Sequence, residues 1–336
     1  MSSFKISIII PAFNEENNIR RILECACKQT YKEFEVIVVD DGSKDRTSEI
    51  AKTYAKQYSN FIYVHKENSG VSDTRNLGLK FVTGDYVCFW DADDWVESNY
   101  LENMFQQIHL TPCPQKTILV SGCTIDYYVE NKKESAGVIK QANKLISKQA
   151  LLKSFINEHE MFRLELWNKL FPAAIVKGKR FDSQFILGED FEFFTKCLKD
   201  VDYLLTVNDS SYHYVIDITQ MKHYTRFENE VKREKMISRN LIDMGISSND
   251  VKFFYSRRLL ITAYTALSFL DFDKRENEEE ITFILKELKN EISKKFKPFG
   301  KYKKAQMIMM MLTNFQSVFL TKKYFVFKRN IKNRKK

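Results

Sequence analysis

Between residues 6 and 90 the sequence alternates short, almost wholly apolar runs with longer amphipathic ones, and this rhythm constrains the fold more than any other feature. Ile6 to Ile10, Phe34 to Asp40 (FEVIVVD), Phe61 to His65 and Tyr86 to Trp90 read as strands; Asn17 to Gln29, Asp45 to Gln57 and Val71 to Phe81 read as the helices between them. A run such as FEVIVVD has no polar face to give to water, so the sheet it joins must be covered on both sides. Strands that alternate with helices at this spacing need crossover connections, which predicts an α/β fold: a Rossmann-like, mostly parallel sheet with helices on both faces. Ligands of such sheets bind beyond the carboxyl ends of the strands, and the polar clusters of this sequence follow those ends.

Further along, Ile118 to Ser121, Thr124 to Val129 and Tyr203 to Val207 read as additional strands of the same domain, which the sequence places at residues 1–220. Beyond about Thr225 only helical patterns remain, as in Phe253 to Leu270 and Ile281 to Ile292, giving a helical C-terminal region at 221–336. A length of 336 residues suits two such units. The net charge of +9 is not spread evenly: residues 292–336 hold fourteen Lys and Arg and no acid, and the remainder carries 39 basic against 44 acidic residues. The chain therefore reads as a slightly acidic globule with a basic tail. Within that tail Ala305 to Leu320 is apolar and bracketed by Lys303–Lys304 and Lys322–Lys323, too short and too polar to span a bilayer but suited to lying on an anionic one. Phe319, Tyr324, Phe325 and Phe327 would supply interfacial anchors. Six cysteines show no paired C-x-x-C spacing and read as reduced structural thiols, and no basic n-region precedes Ile6, so the expectation is a cytoplasmic protein, peripheral at the inner face of the cell membrane.

Five clusters carry the candidate chemistry. Pro11-Ala12-Phe13-Asn14-Glu15 follows the first strand, where proline would end pairing and the polar residues can meet a ligand or simply form the loop into a helix. Asp40-Asp41-Gly42-Ser43 follows the second; adjacent carboxylates need donors or a cation, as base or ribose groups would provide, although the same residues also suit a turn with Ser43 as helix cap. Glu67 to Gly78 (ENSGVSDTRNLG) runs a glycine-containing loop into a helix, with Arg75 one turn inside, in reach of a diphosphate or solvated at the surface. Gly84 to Asp94 (GDYVCFWDADD) delivers Asp91, Asp93 and Asp94 behind an apolar strand, a hard-oxygen set suited to Mg²⁺ or Mn²⁺. Gly188-Glu189-Asp190-Phe191 opens a helix; two acids there please the helix dipole, and either could be a general base in the partly apolar setting of Phe191, Phe193 and Phe194. His213 and His223, each beside tyrosine, are more readily packing residues than metal ligands. No Walker loop and no Gly-x-Gly-x-x-Gly turn is present, so a nucleotide here would be held through a metal and an arginine.

In this order the five clusters resemble the family 2 glycosyltransferases with a GT-A fold, of the type that builds bacterial capsule, exopolysaccharide or teichoic-acid-like glycans; the likeness is dense over residues 4 to about 100 and continues through Trp167-Asn168-Lys169-Leu170 to Glu189-Asp190. The resemblance implies an inverting, metal-dependent hexosyltransferase that uses a nucleotide-sugar, with UDP as the favoured carrier. Carried over residue by residue, it implies that Pro11, Phe13 and Glu15 line the nucleoside, Asp41 binds the base and Arg75 meets the diphosphate. Asp91 and Asp93 would be the D-x-D pair, Asp93 holding the Mn²⁺ or Mg²⁺, and Asp190 the catalytic base supported by Glu189. The Gln-x-x-Arg-Trp motif and membrane spans of the family's processive synthases are not found, which argues for adding one sugar or a few to a glycan or lipid-linked acceptor.

Two other classes compete. The basic tail with its aromatics could serve a nucleic-acid-binding protein, but positive charge is confined to that tail while the candidate cleft is acidic, so the expectation is no nucleic acid. A non-catalytic nucleotide-sugar-binding relic would keep the fold and lose the base, yet Asp91, Asp93 and Asp190 are all in place. A nucleotidyltransferase would be expected to carry a glycine-rich basic loop after the first strand, which PAFNE is not.

Overall fold

In a computed structural model of the protein, which describes residues 4–129, 132–156, 165–185, 188–217, 227–269, 276–292, 303–315, 320–321 and 323–325, the chain divides into two compact units. The first comprises residues 1–153 and 160–221, the second 154–159 and 222–336.

The first unit opens with β1 (Ile6–Ala12), α1 (Ile19–Cys27), β2 (Phe34–Asp40), α2 (Thr47–Gln57), β3 (Phe61–His65), α3 (Val71–Gly78) and β4 (Tyr86–Phe89). It continues through β5 (Trp95–Val96), α4 (Tyr100–Gln107), β6 (Thr117–Ser121), β7 (Cys123–Val129), β8 (Lys132–Ile139), β9 (Lys144–Ser147) and the larger part of α5 (Lys148–Ile156), whose last three residues are counted with the second unit. β10 (Lys169–Pro172), α6 (Ala173–Val176), α7 (Glu189–Leu198), β11 (Tyr203–Val207) and β12 (Tyr212–Asp217) follow. Eight strands form one sheet in the order β3-β2-β1-β4-β10-β6-β11-β9, with β3, β2, β1 and β4 mutually parallel and β10 and β9 antiparallel to their neighbours. The expected α/β architecture is thus present.

Alternation along the strands decides what covers each face. Ile6, Ile8 and Ile10 of β1 with Val36 and Val38 of β2 share a core with Ile19, Ile22 and Leu23 of α1 and Ile50 of α2. The opposite face, with Ile9 and Val39, receives α3, and it does so at Gly78: an added Cβ there would stand 2.6 Å from Ile9 and 3.4 Å from Val39. Pro11, expected to end strand pairing, does not: β1 pairs with β2 through Pro11↔Val39 to Ala12↔Asp40. The amide of Ile6 and the carbonyl of Ala12 face β2 and the carbonyl of Ile9 faces β4, so the missing N–H of Pro11 lies on the β4 side, where pairing has stopped at Ile9↔Phe89.

A second sheet, β5-β12-β7-β8, was not expected. β5 is two residues long and β8, Lys132–Ile139, is mostly exposed, so neither carries an apolar pattern. The second unit contains α8 (Phe227–Asp243), α9 (Ser248–Phe269), α10 (Glu276–Glu291) and α11 (Lys303–Phe315). They enclose Phe227, Leu259, Leu260, Ile284, Leu288, Met309 and Leu312. Buried Glu234 of α8 accepts from Arg258 Nε and Nη2 at 2.7 and 2.9 Å, a bidentate tie between α8 and α9. No helix among the described residues is long and apolar enough to cross a membrane. His223, Phe319 and Phe327 lie outside the described residues.

Candidate active site

The ends of β1 and β2 are sewn to each other. Asn14, in the left-handed region at φ 56°, receives a partner from the second loop in each direction: its N–H donates to Ser43 Oγ at 2.9 Å and its Oδ1 accepts from Lys44 N at 2.9 Å. Glu15 N donates to Thr47 Oγ1 at 2.7 Å, and Glu16 N to Asp45 Oδ2 at 3.0 Å. With the backbone of this loop so occupied, the side chains of Pro11, Phe13 and Glu15 are left for the cleft, and Phe13 stays 43% exposed.

The two adjacent aspartates are both met by donors of the protein itself. Asp40, fully buried, accepts from Ser43 N at 3.0 Å and Tyr63 Oη at 2.8 Å and contacts His65 Nδ1 at 2.9 Å. Burial alone would raise its carboxyl, but Ser43, His65 and Tyr63 outweigh that and hold it below the ordinary range. Asp41 accepts from Ser69 N at 2.9 Å, from Gly70 N at 2.8 Å and from Lys66 Nζ. It therefore clasps the 66–70 loop while one edge lines the cleft. Gly42, at φ +76°, is needed in this clasp: a Cβ would come within 2.9 Å of Asn68 N.

Three of the expected carboxylates converge on Arg75. Its guanidinium is nearly inaccessible and donates from Nη1 to Glu189 Oε1 at 2.9 Å and Asp190 Oδ1 at 2.6 Å, and from Nη2 to Asp91 Oδ1 at 3.1 Å. Both Nη atoms, expected at a diphosphate, are thus spent on carboxylates; Nε is buried and finds no partner among the described residues. Burial by itself would depress the guanidinium, but Asp190, Asp91 and Glu189 overcome this and raise it above its ordinary value. In return desolvation, helped by Asp190 and Asp93 and opposed by Arg75, pushes Asp91 up to about 6. Desolvation and the neighbouring Asp190 push Glu189 up to about 7.

Asp91 and Asp93 border a cleft of about 440 Å³ whose other walls include Pro11, Phe13, Glu15 and Asp41. Asp93 is exposed and makes no ion pair among the described residues; desolvation of its carboxyl and the charge of Glu15 raise it to about 6. Arg21 of α1 donates to the main-chain carbonyls of Asp93 and Asp94 and so fixes the loop that carries them. Asp94, counted with the other two as a candidate oxygen ligand, turns away from the cleft: it is fully buried and accepts from Tyr212 Oη at 2.7 Å and Val215 N at 2.8 Å. It ties the loop to the second sheet. Among the described residues no three His, Cys, Asp or Glu side chains gather to hold a metal ion.

Asn68, Val71 and Thr74 also line the cleft, positions that the sequence presents only as part of a loop entering a helix. Asn76, too, is in the sequence only one residue of that cluster. Its Nδ2 donates to Phe181 O at 2.9 Å and its Oδ1 accepts from Phe181 N at 2.8 Å, bracketing the backbone of Phe181. His213 is stacked on Trp95 at 3.4 Å between ring centroids and contacts Asp126 Oδ2 at 3.1 Å and Glu97 Oε1 at 3.3 Å, the environment of a packing residue.

Known proteins share the sequence and fold that carry this site. Residues 7–166 match the sequence model of the family described as glycosyl transferase family 2. Glycosyltransferase GlyA of Streptococcus pneumoniae is 33% identical over 220 residues, which is 63% of this chain and 30% of GlyA, so the chain spans under a third of that relative. Cholesterol galactosyltransferase of Borreliella burgdorferi is 26% identical and aligns over 98% of both proteins. The crystal structure of S. aureus TarS 1–349 in complex with UDP-GlcNAc superimposes with a TM-score of 0.70 over 95% of this chain and 91% of that one, at 18% identity. Residues 7–166, just under half of the chain, are thus those of a glycosyltransferase family 2 domain, and the fold around them is that of TarS.

Proposed function

We propose that this glycosyltransferase moves a hexose from a nucleotide-sugar, with UDP as carrier, to a hydroxyl of a glycan or lipid-linked acceptor in cell-surface polysaccharide synthesis, with inversion at the anomeric carbon. The observation that carries the reading is the Arg75 hub: one buried guanidinium holds Asp91, on the wall of the cleft, together with Glu189 and Asp190. Donor-side and base-side carboxylates are thereby fixed in one constellation. The acceptor hydroxyl attacks the anomeric carbon, its proton passes to the Asp190 carboxylate, and the bond to the nucleoside diphosphate breaks with its electron pair leaving on the phosphate oxygen. A single displacement of this kind inverts configuration.

The cleft is acidic, and a diphosphate entering past Glu15, Asp91 and Asp93 meets like charge. The residues fit a hard cation: Asp93 offers a carboxylate without an ion pair among the described residues, and Asp91 has only Oδ1 committed to Arg75. Two carboxylates and the diphosphate oxygens would hold Mn²⁺ or Mg²⁺, which when bound supplies charge neutralisation at the leaving group. A lipid-linked acceptor is supported by the full-length likeness to an enzyme named for galactosylating cholesterol, and by the fourteen basic and no acidic residues of 292–336, which suit a cytoplasmic enzyme peripheral to an anionic membrane.

The test is release of free nucleotide from a panel of UDP-, GDP-, dTDP- and CMP-sugars with Mn²⁺, with Mg²⁺ or with chelator, in the presence and absence of membrane lipid extract. Metal-dependent release from one donor, lost in Asp93→Ala and Asp190→Asn, is expected. Release that persists in Asp190→Asn with lipid acceptor present removes Asp190 from the base role, and no release from any donor removes the transferase reading.

A further inference from the structure

Helix α11 turns two unlike sides outward and inward. Gln306, Met309, Leu312 and Thr313 are buried, and Met309 and Leu312 belong to the core built with α8, α9 and α10. At about 100° per residue these four occupy an arc of about 120°. Lys304, Met307 and Met311 fall on the diametrically opposite side, where Met307 is 54% and Met311 50% exposed and Lys304 is exposed too. Two thioether side chains one turn apart form an apolar spot, and their flexible, polarisable stems adapt to irregular surroundings. The stretch of sequence in which they lie, residues 292–336, carries fourteen Lys and Arg and no acid, so the matching surface must be negative and must also admit apolar side chains. A nucleic acid offers only the first property. An anionic phospholipid bilayer offers both, phosphates at the rim and acyl chains beneath.

We infer that α11 docks on an anionic phospholipid bilayer through Lys304, Met307 and Met311, the methionines entering the boundary of headgroups and acyl chains while Met309 and Leu312 stay in the helical core. This deepens the proposed membrane association by naming the face that inserts, and it rests on the transferase reading only for its purpose, the delivery of the cleft to a lipid-linked acceptor.

The test is co-sedimentation of the full chain with vesicles of phosphatidylglycerol and phosphatidylcholine, against vesicles of phosphatidylcholine alone. Wild type is expected to sediment with the anionic vesicles only. The Met307→Gln/Met311→Gln variant, which leaves charge unchanged, is expected to partition about tenfold more weakly, and Met307→Leu/Met311→Leu to bind as wild type does. Circular dichroism confirms that each variant is folded. Wild-type sedimentation with neither vesicle, or equal binding by the glutamine variant, overturns the proposal, the latter by reducing the contact to tail charge. A wild-type dimer in light scattering that the glutamine variant dissociates also overturns it, because a second copy then covers the face. Nucleotide release from the donor sugar without vesicles is measured on the same samples; its failure would count against the transferase reading and leave the docking result standing.

Discussion

Arg75 Nη1 donates to Asp190 Oδ1 at 2.6 Å across a separation of 115 residues, joining the third helix of the parallel half to the first turn of α7. The same guanidinium reaches Asp91, so the distance between the donor-side loop and the proposed base is set by one rigid planar fork. Replacing it by Ala leaves Asp91, Glu189 and Asp190 facing one another without a counter-charge, and the expected cost is about 3 kcal/mol of unfolding free energy, with kcat lowered about 100-fold by misplacement of the base. Arg75→Lys keeps the charge but concentrates it at one atom instead of a planar fork that spans three carboxylates, and should recover the fold better than the rate. Nucleotide affinity separates this role from direct contact with the diphosphate: titration calorimetry with UDP should give an unchanged Kd in Arg75→Lys, whereas a loss of affinity parallel to the loss of kcat would assign the arginine to the phosphates.

The raised carboxyls make a pH prediction with a definite sign. Asp91 and Asp93 at about 6 and Glu189 at about 7 lie above their ordinary values of 3.8 and 4.5, so between about pH 4 and pH 7 the folded chain holds protons that the unfolded chain has released. Unfolding free energy must therefore fall as pH rises through that window, chiefly through Asp91 and Glu189 and by up to about 3 kcal/mol once their coupling is allowed for, the exposed Asp93 being screened by solvent and adding little. Carboxyls held low by hydrogen bonds, such as Asp40, act in the opposite direction but only below about pH 4. Denaturant midpoints between pH 4.5 and 7.5 in chelator should show the decline, and Mn²⁺ with UDP should flatten it. A stability that rises across this range would contradict the buried-carboxylate account.

Tyr212 and Asp94 show how a motif residue can serve the scaffold. Tyr212 Oη donates to Asp94 Oδ2 at 2.7 Å and accepts from Asp91 N at 3.2 Å, both within buried surroundings. Tyr212→Phe strips one donor from a buried carboxyl and one acceptor from the backbone of the candidate metal loop, and should cost about 1–3 kcal/mol. Because the loop carries Asp93, KM for the donor sugar should rise more than kcat falls. Differential scanning calorimetry, and steady-state kinetics with whichever donor the nucleotide-sugar panel selects, measure the two effects; an unchanged KM would confine Tyr212 to folding.

The parallel half of the fold was legible because β1, β2 and β4 are buried on both faces and therefore written as mostly apolar runs, interrupted only by buried Ser7, Glu35 and Asp40. β8 was not, since Lys132–Ile139 is held by backbone pairing to β7 and needs no particular side chains, and two-residue β5 is below the length at which any period can register. At the site the residue types were readable and their partners were not. Asp41 looks outward to a ligand in sequence, but its donors Ser69 and Gly70 stand 28 and 29 residues further on. Arg75 likewise reads as a phosphate ligand until the fold brings three acids to it. Local pattern reports how much of an element is buried; it says nothing about which distant group will meet a charge.

Asn76 follows Arg75 directly and points its amide at the main chain of Phe181, giving and receiving one hydrogen bond each at 2.9 and 2.8 Å in a buried setting. The Phe181 ring in turn stacks on Phe193 of α7 at 3.9 Å between centroids, with the Arg75 guanidinium 5.5 Å above it. One residue of α3 thus meets the Glu189 and Asp190 carboxylates, and the next holds the backbone of Phe181, whose ring packs on α7. Asn76→Ala would leave both the N–H and the C=O of Phe181 unpaired and should cost about 2 kcal/mol. Asn76→Asp keeps the acceptor for the Phe181 N–H but sets a carboxylate against its carbonyl, and should be worse than Ala despite its closer shape. If the bracket aims α7, kcat falls in both variants while the affinity for UDP, which we propose enters the cleft on the side of Pro11, Phe13 and Asp41, stays that of wild type. A fall in UDP affinity with kcat preserved would move Asn76 from the base side of the site to the nucleotide side.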